Sequence, residues 1–229
     1  MFGKAHFDAL LAMRGLNPGV HFEIWDRRRR DQYMDNMWGD HPVGDLYRRS
    51  CFGAMKADLF RYCVVFDKGG FYLDVNKLII APLRSLVDSD SHGLISFEQN
   101  YNELPSPGPN ACLRLQHPDR WVVQWAFGFK SGHPFLARVI QAICEKRDLF
   151  EDRIFSQPSH AIHSFTGPSV FTSVAHCYFE QQSDSRLMQA GIDFHSSYRR
   201  PSNYEVMYLN SPHYKKSRNM AILRSREIT

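Results

Sequence analysis

The chain of 229 residues, 43% hydrophobic and 23% charged with a formal net charge of +4, has the size and composition of one soluble globular α/β domain spanning residues 1–229. No window approaches the eighteen or so apolar residues of a membrane span, and charges interrupt the first fifteen residues where a secretory leader would be uniformly apolar. Five cysteines (Cys51, Cys63, Cys112, Cys144 and Cys177) without a C-x-x-C pair argue against a zinc knuckle or a disulfide framework, and read as reduced thiols of a cytoplasmic protein.

Along the chain, Phe7, Leu10, Leu11 and Ala12 recur at helical spacing over 5–14, and the run NPG at 17–19 stops them. The run VHFEIW at 20–25 alternates with period two, which predicts a strand burying Val20, Phe22 and Ile24. Asp26 is placed to cap a basic helix running to about Trp38, and HPVGD at 41–45 predicts a break. A stronger helix is expected from about Ser50 to Phe66, with Phe52, Met55, Leu59, Tyr62, Cys63 and Phe66 on its apolar stripe. Gly69 and Gly70 end it and permit a reversal into the next strand. Strands are expected at 94–97 and 121–129, with weaker candidates at 191–194 and 204–209. Helices are expected after SGHP, with Phe135, Leu136, Val139, Ile140 and Ile143 inward, and after Pro168. Between 99 and 119 the composition turns to Asn, Pro, Gly and Ser, a long loop of the kind that forms lids or binding elements. Strands and helices in alternation predict a mainly parallel central sheet flanked by helices, with ligands beyond the carboxyl ends of its strands.

The stretch GGFYLDVN at 69–76 lies at such an end. On an extended strand Tyr72, Asp74 and Asn76 project from one face and Phe71, Leu73 and Val75 from the other. Side-chain oxygens two residues apart can converge on a divalent ion that a diphosphate also ligates. Lys77 follows directly and offers positive charge to the same diphosphate. On the preceding helix, Asp58 and Arg61 stand three residues apart, the spacing of an ion pair on one face.

The full run KADLFRYCVVFDKGGFYLDVN at 56–76 resembles the Asp-x-Asp region of glycosyltransferase family 32, a family distantly similar to the large glucosylating toxins. Ala57, Asp58, Arg61, Tyr62, Gly69, Gly70, Tyr72 and Asp74 carry the resemblance, with echoes in FGFKSGHPF at 127–135 and TGPSVFT at 166–172. It implies a Rossmann-like nucleotide-sugar transferase (GT-A type) fold and a retaining transfer of a hexose from a UDP- or GDP-sugar to a glycan or lipid-linked acceptor. Asp58, Arg61, Gly70, Tyr72, Asp74 and Gln124 then match donor-binding positions, with Asp74, Asn76 and Arg61 at the reacting end. A manganese or magnesium ion would be held by Asp74, Asn76 and His213. Asn76 stands where the family has a second aspartate, and Arg218, five residues after His213, where it has a tryptophan. The first strand of the family has no match in this sequence. An amide carries no formal charge, so the metal should be held weakly. These departures also fit a degenerate, non-catalytic binder of sugar nucleotides or glycans. The arginine runs lack any nucleic-acid module, so no nucleic-acid partner is expected, whereas peripheral contact with a membrane is compatible with the reading.

Overall fold

The computed structural model describes residues 3–99, 114–181, 186–200 and 213–225. Helix α1 (Lys4–Leu16) stops at Asn17, whose side-chain amide donates back to the Met13 carbonyl at 2.8 Å. Its inward residues are His6 and Met13, while Phe7 and Leu11 of the expected apolar face are about half exposed, so helical spacing gave the helix but not its orientation. The expected strand at 20–25 forms no ladder: Val20 and Ile24 are exposed, and Trp25 is the residue that packs, edge-on to Tyr33 and against Phe60. Period two without a neighbouring strand to receive its N–H groups yields extended chain only.

Asp26 caps α2 (Arg27–Trp38) by accepting the Arg29 amide at 2.8 Å. Where a break is expected, Pro42 opens a further helix, α3 (Pro42–Arg49), in whose first turn its missing N–H costs nothing, and His41 Nδ1 accepts the Val43 amide at 3.1 Å. The corner between α2 and α3 is tight enough that a Cβ on Gly44 would lie 1.9 Å from the Trp38 carbonyl oxygen. That oxygen is backbone and cannot swing aside. Gly44→Ala is therefore expected to cost about 3 kcal/mol of stability, read as a lowered urea midpoint with an unchanged slope.

Helix α4 (Gly53–Lys68) is the central element, buried almost continuously from Asp58 to Val65. It ends at Gly69, whose φ of +70° and close approach to the Ser131 amide (2.8 Å from an added Cβ) suit glycine alone. The strands are β1 (Gly70–Leu73), β2 (Leu78–Ile79), β3 (Gly93–Phe97), β4 (Ala126–Phe129), β5 (Ile154–Phe155), β6 (Leu187–Ile192), β7 (Tyr198–Arg199) and β8 (Met220–Ala221). Helices α5 (Pro134–Glu145), α6 (Pro158–Phe165) and α7 (Pro168–Gln181) fall between β4 and β6; α6 is not anticipated by the sequence pattern.

Among the described residues the main sheet has the order β1-β4-β3-β6. Only β3 and β6 run parallel; β1 with β4 and β3 with β4 are antiparallel. The sheet is thus mixed, not mainly parallel. A parallel neighbour needs a long crossover, usually a helix; β1 and β3 both oppose β4 and so run the same way, and the direction reverses in the connection from β3 to β4, which has no helix among its described residues. Strand β4 is shorter than the expected 121–129, with Val122 making an isolated bridge to Phe97. The 191–194 candidate is partly realised in β6, while 204–209 and most of the 99–119 loop lie outside the described residues.

One face of the sheet carries the larger core, where Ile95, Phe97, Phe127 and Phe129 meet α4, α5 and α7. The other carries a smaller cluster of Ile79, Leu86, Leu94, Val123, Trp125, Ala126, Ala190 and Phe194. Alternation along β3 and β4 divides the residues between them. The second cluster is closed by the turn Asp193–Ser196, four non-glycine residues with φ between +46° and +62°. Left-handed backbone costs roughly 1–2 kcal/mol per residue, and the burial of Phe194 with its amide donated to Ser96 Oγ (2.8 Å) offsets part of that. Cys51, Cys63, Cys144 and Cys177 are free thiols, and no helix among the described residues is long and apolar enough to cross a membrane.

Candidate functional site

The site is assembled by α4, the end of β1 and the segment leading into β4. Ladder pairing of Leu73 with Ala126 is extended by one further bond, from the Asp74 amide to the Trp125 carbonyl at 2.8 Å. The chain then turns: the Lys77 amide bonds the Asp74 carbonyl at 2.9 Å, so Asp74 and Lys77 are the first and last residues of a β-turn. The predicted strand therefore stops three residues before Asn76, and Val75 is exposed in place of continuing the Phe71 and Leu73 face. Phe71 and Leu73 do pack on the smaller cluster, whereas Tyr72 lies on the α4 side against Phe127.

Arg61 is the hub. Its Nη2 lies 3.3 Å from Asp58 Oδ1 and 3.3 Å from Asp74 Oδ1, its Nη1 donates to the Gln124 carbonyl at 3.2 Å, and its guanidinium sits 5.1 Å from the centre of the Tyr72 ring. The Tyr72 hydroxyl donates to Asp74 Oδ1 at 2.7 Å. Asp58 Oδ2 accepts from Thr166 Oγ1 at 2.9 Å, and the Tyr62 hydroxyl donates to the Thr166 carbonyl at 2.9 Å. The Gln124 amide donates to both the Tyr62 hydroxyl and the Thr166 carbonyl. The spacing of Asp58 and Arg61 on α4 thus makes an ion pair, but an interior one: their side chains are 10% and 7% exposed, against 28% for Asp74.

Burial governs the electrostatics. Loss of solvent pushes the Asp58 carboxyl up to about 7, against the pull of Arg61 and the Thr166 hydrogen bond, and the neighbouring charge of Asp74 adds to the rise. Burial by itself would weaken the protonation of Arg61, but the neighbouring Asp74 first, and Tyr72 and Asp58 after it, outweigh burial and hold the guanidinium above its ordinary range. Tyr62 is likewise held well above its usual range, by burial first and by Asp58 second.

Asp58, Arg61, Tyr72, Asp74 and Gln124 are brought together as the sequence suggests, with Gly70 at the exposed start of β1 at φ +98° and Asn76 in the adjoining turn. The Asn76 Oδ1 is buried with no hydrogen-bond partner, and so is Arg61 Nε. An orphaned carbonyl oxygen two residues along the chain from a carboxylate is the kind of donor a hard cation takes, although Asp74 is the sole member of this pair with a formal charge. His213 opens a separate turn, its carbonyl accepting from the Lys216 and Ser217 amides and its ring stacked 5.8 Å from Tyr214. Among the described residues no group of three or more His, Cys, Asp and Glu side chains is arranged for a metal. Sequence reasoning passed over Thr166, Trp125 and Tyr198, which hold the site from behind and beside; each comes from a distant part of the chain.

No protein-family model matches the chain. It is 23% identical over 177 residues to an initiation-specific alpha-1,6-mannosyltransferase of Candida albicans, covering 71% of this chain and 45% of that protein. It is 24% identical over 186 residues to an initiation-specific alpha-1,6-mannosyltransferase of Schizosaccharomyces pombe, covering 72% of this chain and 43% of that one. The chain therefore matches less than half the length of either relative. In structure it is similar to the PaToxG glycosyltransferase, with a TM-score of 0.53 at 11% identity over 80% of this chain and 67% of that one. The likeness carried by residues 56–76 extends over most of the chain, which is related in sequence to initiation-specific mannosyltransferases and shares the fold of a glycosyltransferase.

Proposed function

We propose that this chain is the nucleotide-sugar transferase unit of a retaining hexosyltransferase with a GT-A type fold, moving a hexose from a UDP- or GDP-sugar to a glycan or lipid-linked acceptor. The observation that carries the reading is the convergence of Asp58, Arg61, Tyr72 and Asp74 at the end of β1, with Asp74 the most exposed acid of the group. The names of the relatives support it.

In this reading Asp74 faces the donor, and the buried Arg61 and the Tyr72 hydroxyl act as positioning groups that fix its carboxylate. Asp58 in turn orients Arg61, and Thr166 and Gln124 fill the hydrogen-bonding capacity behind them. A fixed carboxylate loses no reorganisation energy as charge shifts in the transition state. Asp74 and Asn76 would hold manganese or magnesium, with His213 a further candidate ligand; when bound, such an ion supplies Lewis-acid charge for the departing diphosphate. No internal nucleophile is evident among the described residues, which favours departure and attack on the same face of the sugar.

The test is release of UDP or GDP from a panel of sugar nucleotides, with and without manganese. Turnover with at least one donor is expected; its absence throughout, together with absence of binding, would sink the proposal. Asn76→Asp restores a second carboxylate and is expected to lower the manganese concentration for half-maximal turnover about tenfold, while an unchanged requirement would remove Asn76 from the metal site. The rival is a non-catalytic binder of sugar nucleotides or glycans, favoured by the amide at position 76 and by the inward pairing of Asp58 with Arg61. Binding of a sugar nucleotide without turnover would select it.

A further inference from the structure

The turn that begins at Asp74 leads into a cluster of cations that the donor motif does not include. Lys77 closes the turn, and its ammonium donates to the Tyr198 hydroxyl at 3.0 Å. Arg200 Nε donates to the same oxygen, also at 3.0 Å. Pairing of β2 with β7 sets this meeting, since Leu78 lies opposite Arg199 and Ile79 opposite Tyr198. The Lys77 ammonium is 4.9 Å from the ring centres of both Trp125 and Tyr198, which are themselves 4.6 Å apart. Trp125 is the residue whose carbonyl holds the Asp74 amide, so the cluster and the donor carboxylate share one anchor.

Two cations on one neutral oxygen repel each other, and their nitrogens are at most about 6 Å apart by the two hydrogen bonds. Among the described residues no carboxylate lies within ion-pair distance of Lys77, Arg199 or Arg200. The half-buried Asp193 senses the Lys77 charge without pairing with it. An ammonium has three donors and a guanidinium five, so most remain for a ligand rich in acceptors. The turn between Asp74 and Lys77 also withholds negative charge, because position 76 is an amide. Both features shift this edge from holding a cation toward holding an anion.

We propose that Lys77 and Arg200, aligned on Tyr198, form a diphosphate-binding notch that keeps donor affinity when no metal is present. It rests on the transferase reading above and deepens it. The chemistry recognised is a pyrophosphate group, whether carried by a nucleoside or by a lipid-linked acceptor.

The test is calorimetric titration of the full chain in EDTA with inorganic pyrophosphate, UDP, GDP and a soluble prenyl diphosphate. Wild type is expected to bind pyrophosphate, more weakly as salt rises. Lys77→Met and Arg200→Gln are each expected to weaken it at least fivefold, and together at least twentyfold. Tighter binding of UDP or GDP than of pyrophosphate assigns the notch to the donor; tighter binding of the prenyl diphosphate assigns it to the acceptor. No pyrophosphate binding by wild type, or equal affinity in variants whose melting temperatures match wild type, overturns the proposal. If the variants lose pyrophosphate but no sugar nucleotide is ever turned over, the notch stands and the transferase reading fails. If turnover occurs and the variants bind as wild type does, the notch fails and the transferase reading stands.

Discussion

Replacement of Asp74 by alanine is expected to lower nucleoside diphosphate release at least a hundredfold in a protein that still folds. The size follows from the loss of a fixed charged group in a partly dehydrated site, which typically costs two to three orders of magnitude. Asp74 is held by the Arg61 guanidinium and the Tyr72 hydroxyl, and its backbone is tied to Trp125, so the carboxylate is preset in place of being recruited by substrate. Folding should survive because its side chain is 28% exposed and Arg61 keeps Asp58 as a partner. Asp74→Asn separates charge from shape. A loss nearly as large as that of the alanine variant would show that the charge is what matters, and unchanged release in both would remove Asp74 from the chemistry.

The second large effect is on stability and concerns Asp58. Its carboxyl is raised from 3.8 to about 7, chiefly by burial, so between these values the folded protein keeps a proton that the unfolded chain has released. A raised folded-state value contributes stability that is complete below about pH 4 and gone once the pH has risen through about 7. Unfolding free energy in urea should therefore fall from pH 5 to pH 8 by up to about 3 kcal/mol more in wild type than in Asp58→Asn, which carries no titrating group there. Parallel curves for the two proteins would show that Asp58 stays ionised through its pairing with Arg61. Asp58→Ala should be far worse, by about 3–5 kcal/mol, because it removes a partner from a buried guanidinium and leaves Thr166 Oγ1 without its carboxylate acceptor.

These two effects differ in kind because the network is layered. Asp58, Arg61, Thr166 and Gln124 are interior and respond through folding; Asp74 and the turn after it are at the edge and respond through ligands. A substitution in the first layer reaches the second through Arg61, which touches Asp58 and Asp74 through the same Nη2 nitrogen. Kinetic losses in Arg61 variants should accordingly be read beside their melting temperatures.

Much of this is legible in short stretches of the chain. The α4 helix, its paired Asp58 and Arg61, the glycine reversal and a β1 strand leading to Asp74 all follow from local rules, namely helical spacing, the conformational freedom of Gly69 and a period of two, whereas the alternation that continues to Asn76 hid the turn that ends the strand. The caps at Asp26 and the first-turn prolines of α5 and α7 are local in the same sense. What depends on distant neighbours is fixed only when the chain has folded. Strand direction is set by where the chain re-enters the sheet, so alternating elements suggested parallel pairing where β1 and β4 run antiparallel. An isolated alternating run at 20–25 found no partner strand, and Phe7 and Leu11 faced outward because nothing packed over them. Asp58 and Arg61 look like surface residues until α4 is enclosed on every side, and Thr166 and Tyr198 join the site from more than a hundred residues away. Short-range sterics and hydrogen bonding write themselves into adjacent residues, whereas burial, charge partners and sheet order exist only once remote segments have met.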